Sequence, residues 1–155
     1  MGGECRARFP LPYTGQVLAR KEQQVSTAVL DQSLSHSSRP AAAARDATRA
    51  FLARAARLQA PAEAGSMDAV LLVVAELVAN AVRHTDGPCT LHLELLDHSI
   101  NVCVADLSPQ PPLPRAPAMD GTGGWGWFLV KHLATRIRIT AVPEGGKTIC
   151  AELPW

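Results

Sequence analysis

The sequence has no long hydrophobic run and no block of one charge. No stretch approaches the roughly 18 apolar residues that a membrane-spanning helix needs. The formal net charge of the 155-residue chain is +1, whereas proteins that bind nucleic acid usually carry a cationic face. The N-terminus has arginines but lacks the apolar segment of a secretory signal. We therefore expect a cytoplasmic protein whose main partner is neither a membrane nor a nucleic acid.

The cysteines also lack the spacing of a metal site. Cys5, Cys89, Cys103 and Cys150 form no C-x-x-C pair, and no histidine lies near them at zinc spacing. A chain of this length can bury roughly 70% of its unfolded surface, so its fold needs neither a disulfide nor a metal. Free cysteine behaves as a small apolar residue. We therefore expect all four to be free, buried thiols.

Hydrophobic periodicity predicts three helices and two antiparallel hairpins. The helices are expected at 41–58, from Ser66 as N-cap to about 84, and at 127–136. The strands are expected at 90–96, 100–106, 136–142 and 147–153. Residues 1–35 are expected to form an N-terminal extension that supplies one edge strand from 24–35, and residues 36–155 the domain itself. Hairpins beside segregated helices predict an α+β fold, a two-layer α/β sandwich.

The stretch "ELVANAVRHT" places polar groups on an apolar helix. Glu76 and Asn80 are four residues apart, and Arg83 and His84 follow Asn80 by three and four, so all four can border one cleft. Such groups cost free energy when they are buried without partners. The pattern predicts a helix that lines a pocket. The equally weighted alternative is a surface stripe with an ordinary glutamate and a capping asparagine.

A carboxylate ends the third apolar segment before a proline-rich stretch, in "VADLSPQPP". At the end of a strand, Asp106 could accept a hydrogen bond from a ligand amine. Taken alone, the motif favours the alternative that Asp106 closes the strand as an Asx-turn residue.

Glycines then lead directly into the third helix, in "GTGGWG". Gly121, Gly123, Gly124 and Gly126 would let the backbone approach a ligand, and a helix start offers N–H groups that suit phosphate. No G-K-[ST] follows them, so the loop is not a Walker A motif, and no βαβ unit frames a dinucleotide turn. The "GKT" at 146–148 precedes a strand, which excludes a P-loop there as well. Thr148 could share a ligand with Asp106.

In this order, the motifs E-L-V-x-N-A-V-x-H, D-x-S, G-x-G at a helix start and G-x-T before the last strand resemble a known family. It is the ATPase domain shared by gyrase, heat-shock chaperone, histidine kinase and mismatch-repair proteins. Over residues 41–154 the chain looks most like the small bacterial anti-sigma-factor serine kinases and their stand-alone relatives. The resemblance implies a Bergerat ATP-binding fold, with a mixed, mostly antiparallel sheet and helices packed on one face.

The resemblance also implies roles for particular residues. Glu76 would be the general base, Asn80 would bind the magnesium ion that bridges the ATP phosphates, and Asp106 would accept from the adenine amino group. The other positions that the resemblance assigns to ATP binding are Arg83, His84, Ser108, Gly124, Gly126 and Thr148.

The resemblance implies a serine/threonine kinase that uses ATP and Mg²⁺, phosphorylates a small antagonist protein and sequesters a sigma factor, with a possible homodimer. Two departures from the family's motifs favour ATP binding over ATP turnover. "DLSPQPP" replaces a glycine-bearing D-x-G-x-G, and tryptophans stand at 125 and 127 where smaller or aliphatic residues are common. The alternatives are a non-catalytic, ATP-responsive or vestigial regulator and an interaction domain without nucleotide.

Overall fold

The computed structural model describes residues 28–36, 39–112 and 124–155. In chain order the elements are β1 Val29–Leu34, α1 Pro40–Leu58, α2 Ser66–His84, β2 Cys89–Leu96, β3 Ser99–Asp106, α3 Trp125–Leu133, β4 Arg136–Ala141 and β5 Lys147–Pro154. Three helices and two hairpins therefore appear in the predicted order. None of the described helices is both long enough and apolar enough to cross a membrane.

The five strands form one sheet in the order β1-β2-β3-β5-β4. Every pair of neighbours is antiparallel, so the described sheet is wholly antiparallel rather than mixed. β1 lies at one edge, inside the segment from which an edge strand was predicted. The α+β class is confirmed.

Alternation of buried apolar residues with more exposed residues along the strands forms the core. On one face lie Leu91 and Leu93 of β2, Val102 and Val104 of β3, and the matching apolar residues of β5, all nearly inaccessible to solvent. They form one cluster with the apolar stripes of α1 and α2, while α3 packs on α2. Burial of a large apolar side chain contributes roughly 1.5–3 kcal/mol. This layer of helices on one face of the sheet therefore holds α2 in place above β3 and β5.

The helix ends differ slightly from the predicted ones. Pro40 occupies the first turn of α1, where its missing N–H costs nothing. The N-cap of α2 is Gly65, and no side chain caps this helix, so the prediction of Ser66 as N-cap was wrong by one residue. Ser66 is instead buried in the first turn. α3 ends at Leu133 rather than 136, because β4 begins at Arg136.

The prediction of free thiols was wrong for two cysteines. Cys103 of β3 and Cys150 of β5 are directly opposed in the sheet, with Cα atoms 4.1 Å apart, and form a disulfide. They are 47 residues apart in sequence, so only the strand register reveals the pairing. Cys89 is a buried free thiol, as expected, and Cys5 lies outside the described residues.

Candidate functional site

The polar end of α2 lies at the same end of the sheet as Asp106. α2 ends at His84, and β2 begins five residues later at Cys89. Near its start, Thr90 of β2 pairs with Ala105, the neighbour of Asp106. The antiparallel arrangement therefore brings the last turns of α2 and the end of β3 to one edge of the domain.

Glu76 meets the start of α3. Its side chain is partly buried, and its carboxylate packs so closely on Gly126, the second residue of α3, that a Cβ at Gly126 would overlap it. Glycine leaves this space free for the carboxylate. A carboxylate in the first turn of a helix is favourable, because the helix dipole is positive there, and contributes about 0.3–1 kcal/mol. The structure thus brings together two predicted residues that are 50 positions apart.

Gly124 stands at the start of α3, close to the residue that the Glu76 carboxylate contacts. It is the N-cap residue, with a φ of 88° that glycine adopts without strain, and no side chain caps the helix. The first N–H groups of α3 therefore have no capping side chain, which is the arrangement that suits an anion. Gly121 and Gly123 lie outside the described residues.

Asn80 follows Glu76 by one turn and carries an unsatisfied polar atom. Its Nδ2 is buried and has no hydrogen-bond partner among the described residues. A buried polar atom without a partner costs about 1–3 kcal/mol. Rotation of the amide about its last bond exchanges Oδ1 and Nδ2, so either atom can occupy this position. The carboxamide therefore fits a ligand, and its oxygen is of the type that Mg²⁺ takes.

The last turn of α2 is cationic and accessible to solvent. Arg83 and His84 are both exposed there, and neither forms a hydrogen bond or an ion pair within the described part of the chain. The structure therefore places them at the predicted end of α2 without joining them to the other predicted residues.

Asp106 is a buried carboxylate with two donors on one oxygen. Its Oδ1 accepts from the backbone N–H of Ser108 at 2.8 Å and from Nζ of Lys147 at 2.9 Å. The first contact is the Asx turn that the sequence offered as an alternative. The Ser108 hydroxyl accepts from the N–H of Gln110 at 3.4 Å, so Ser108 takes part in the turn after β3.

Lys147 is the residue that the sequence analysis missed. Its side chain is 3% exposed and that of Asp106 is 1% exposed, and its Nζ also donates to the Ser108 carbonyl at 3.2 Å. The structure does not bring Thr148 to Asp106, because the register pairs Asp106 with Lys147 and Thr148 with Ala105. Side chains alternate along a strand, so Thr148 faces the other side of the sheet. The alternation of buried residues in β5 was the signal that could have identified Lys147.

The turn before β5 brings Lys147 to Asp106. Gly146 has a φ of 109°, and a Cβ there would collide with the backbone carbonyl of Asp106, so only glycine fits. The buried thiol of Cys89 also lies close to Asp106. Burial raises the pKa of this thiol, and the negative charge of Asp106 raises it further. Cys89 is therefore a neutral thiol and a poor nucleophile at neutral pH.

A surface pocket of about 300 Å³ lies elsewhere, between α1 and β1. It is lined by Ala28, Val29, Arg54, Arg57 and Leu58. None of the predicted site residues contributes to it. The predicted site residues Glu76, Asn80 and Asp106 lie at the other end of the sheet.

Comparison with known proteins identifies a family and similar solved structures. Residues 36–152 match the family model described as histidine kinase-like ATPase domain. Among solved structures, the crystal structure of the RsbU and RsbW domains of Rv1364c from Mycobacterium tuberculosis matches with a TM-score of 0.58 and 22% sequence identity. The match covers 83% of this chain and 32% of that chain, so this chain spans about a third of that structure. At this identity the likeness shows the fold alone. No curated protein matches.

Proposed function

Because this chain belongs to the histidine kinase-like ATPase domain family, we propose that it binds ATP with Mg²⁺ and acts as a serine/threonine kinase of the anti-sigma-factor type. In this role it phosphorylates a small antagonist protein and sequesters a sigma factor. The observation that carries the proposal is the contact between the Glu76 carboxylate and Gly126 at the start of α3. This contact supports the assignment of Glu76 as a base beside the phosphates.

In this proposal the adenine ring binds at the end of β3. Oδ1 of Asp106 already accepts from Ser108 and Lys147, which leaves Oδ2 to accept from an amino group. The ammonium group of Lys147 has three N–H donors, two of which reach Asp106 and Ser108. The third can donate to a ring nitrogen. A carboxylate and an ammonium group side by side thus match the donor and acceptor that adenine presents.

The phosphates bind at the start of α3 and the end of α2. The N–H groups that follow Gly124 donate to phosphate oxygens, and the exposed cation of Arg83 lies within one turn of Asn80 on the same helix. His84 lies one turn after Asn80 and adds a second nitrogen donor. Bound Mg²⁺ supplies charge neutralisation on the phosphate oxygens. Asn80 supplies an amide oxygen for it, in keeping with the few protein ligands that Mg²⁺ takes.

Glu76 orients the hydroxyl of the substrate serine and accepts its proton as phosphoryl transfer proceeds. Phosphoryl transfer depends mostly on positioning and on charge stabilisation. The Glu76 carboxylate lies beside Gly126 at the start of α3, where the proposal puts the phosphates. A general base needs this, because it must lie within hydrogen-bond reach of the proton that it removes.

The experiment measures transfer of radioactive phosphate from ATP to candidate antagonist proteins encoded near this chain. We expect Glu76→Gln to retain ATP binding and to lose labelling by about 10²-fold or more, the usual contribution of a general base. Glu63→Gln is the matched control, because Glu63 is exposed before α2 and should label like the wild type. Equal labelling by Glu76→Gln and the wild type would remove Glu76 from catalysis.

The second candidate function is a regulator that binds ATP without turnover. It is favoured by the proline-rich "DLSPQPP" that follows β3 in place of a glycine-bearing D-x-G-x-G. Here the wild type binds Mg-ATP and changes its affinity for a sigma factor or antagonist, yet labels no partner. A homodimer through the exposed β1 edge and α1 is compatible with either function, and sedimentation of the full chain measures it.

A further inference from the structure

The sheet face opposite the helices carries a row of chemically active side chains, one from each strand. The register pairs Asp31 with His92, His92 with Cys103, Cys103 with Cys150, and Cys150 with Arg138. Alternation along the strands puts all five on the face that points away from the core. The described helices all pack on the other face. A disulfide therefore lies in the middle of a polar row that no described helix covers.

The two sulfur atoms of this bridge have different surroundings. Cys103 is 6% exposed, and its Sγ accepts a hydrogen bond from Nδ2 of Asn101 at 3.5 Å. Cys150 is partly exposed. A donor to sulfur favours the thiolate over the thiol. Cys103 is therefore the better leaving group, and Cys150 is the more exposed residue of the two.

We propose that the Cys103–Cys150 bridge is a thiol–disulfide exchange site for a small-molecule thiol, with Cys150 as the sulfur attacked. The thiolate of the solute forms a bond to Sγ of Cys150, and the S–S bond breaks with its electron pair passing to Sγ of Cys103. A second solute thiol then attacks the mixed disulfide and releases Cys150. In sum, two thiols are oxidised to one disulfide and the bridge is reduced to two thiols, with protons taken from and returned to water.

Charged side chains flank the bridge on both sides. Nδ1 of His92 lies 2.7 Å from Oδ1 of Asp31, and its Nε2 lies 3.9 Å from Glu94. These two carboxylates, Glu94 foremost, raise the pKa of His92 despite its partial burial. The row thus holds a histidine with enhanced cationic character next to Cys103 and an arginine next to Cys150. Positive charge near sulfur stabilises the thiolate that each half of the exchange releases.

The bridge also lies close to the candidate site. Cys103 precedes Asp106 by three residues on β3, and Cys150 follows Lys147 by three on β5. The Asp106–Lys147 pair and the bridge therefore both link β3 to β5, on opposite faces of the sheet. The exchange chemistry does not depend on the proposed kinase function, and a protein that binds no ATP can still carry it out.

The test treats the folded full-length chain with millimolar glutathione, stops the reaction with acid and maps each sulfur by mass spectrometry. We expect the bridge to be reduced without unfolding and glutathione to be recovered on Cys150, at least tenfold in excess over Cys103. Peptide mapping distinguishes glutathione bound to Cys5 or Cys89 from glutathione bound to Cys103 or Cys150. Recovery of glutathione mainly on Cys103, or reduction only after urea unfolds the chain, would overturn the proposal.

A second measurement tests the hydrogen bond from Asn101 to Cys103. Loss of its donor should slow reduction of the bridge about two- to fourfold in Asn101→Ala, because the leaving thiolate is less stabilised. Thr90→Ala, which changes the same face of the sheet in the neighbouring strand, should react at the wild-type rate. In a Cys150→Ser background, Asn101→Ala should also move the thiolate absorbance of Cys103 to higher pH. An unchanged absorbance curve and an unchanged rate would contradict the assignment of Cys103 as the leaving group.

Discussion

Lys147 Nζ lies 2.9 Å from Oδ1 of Asp106, and the two side chains are almost completely buried at the edge of the proposed nucleotide site. A buried ion pair is not in itself strongly stabilising, because removing two charges from water offsets their attraction. Removal of one partner is different, since the remaining charge then has no compensation. Asp106 is thus both a structural residue and the proposed adenine acceptor.

Lys147→Met should destabilise the fold. It leaves the Asp106 carboxylate buried with only the Ser108 N–H as donor, and breaking such a pair costs about 3–5 kcal/mol. Urea unfolding followed by circular dichroism measures the change. A loss below about 1 kcal/mol would mean that the pair is open to solvent.

The double variant Lys147→Met/Asp106→Leu is the matched control for this pair. Replacement of both charges by apolar groups of similar size is often neutral or stabilising, so we expect most of the lost stability to return. Persistent destabilisation would assign the effect to packing at the start of β5 rather than to the unpaired charge. Asp106→Ala alone cannot separate these effects, and its loss of ATP affinity must be measured under conditions where it remains folded.

Gly126→Ala should damage the candidate site. The new methyl group overlaps the Glu76 carboxylate. Because this carboxylate is the far end of a flexible side chain, it can move aside at a cost of at most about 1 kcal/mol. We therefore expect a slightly lower midpoint of urea unfolding and loss of phosphate transfer, because the displaced carboxylate no longer lies at the start of α3. Gly65→Ala is the control for phosphate transfer, because nothing lies near its side-chain position. It should label like the wild type, although alanine is a poorer N-cap residue than glycine.

The double variant Glu76→Ala/Gly126→Ala tests whether the two residues interact as described. Truncation of Glu76 removes the overlapping carboxylate, so the stability lost in Gly126→Ala should largely return while phosphate transfer stays absent. Strictly additive losses in the double variant would show that the two side chains do not meet.

The stability of the sheet should depend on pH through His92. Hydrogen bonds with Glu94 and Asp31 raise its folded-state pKa above 6.5. The stabilising contribution of His92 is therefore fully present below about pH 6.5, its pKa in the unfolded chain. This contribution is lost as the pH rises through the folded-state pKa. The effect should be at most about 1 kcal/mol, because Asp31 is largely exposed.

Thermal unfolding between pH 5.5 and 8.5 measures this effect. The extra stability on the acidic side should shrink in Asp31→Asn. It should remain in His98→Asn, which removes a histidine whose side chain is 83% exposed. A wild-type protein that becomes more stable as the pH rises over this window would contradict the assignment.

The sequence predicted the elements well, because each depends on local periodicity. Helical spacing also puts Glu76 and Asn80 on one face of α2, and the structure has both on this helix. The sequence did not predict which residues of different strands are in contact. Whether Lys147 or Thr148 lies beside Asp106 depends on the register of β5 against β3. A shift of one residue in this register would move every side chain of β5 to the other face of the sheet. The Cys103–Cys150 bridge was missed for the same reason.

Titration of Mg-ATP into the purified chain, followed by calorimetry, tests the central claim most directly. We expect a dissociation constant in the micromolar range, about −8 kcal/mol, and a large loss of affinity in Asn80→Ala, which removes the proposed magnesium ligand. Ala79→Ser, a substitution beside it on α2, should bind like the wild type. The absence of both heat and thermal shift at millimolar Mg-ATP in the folded wild-type protein would contradict ATP binding, and the proposed kinase with it.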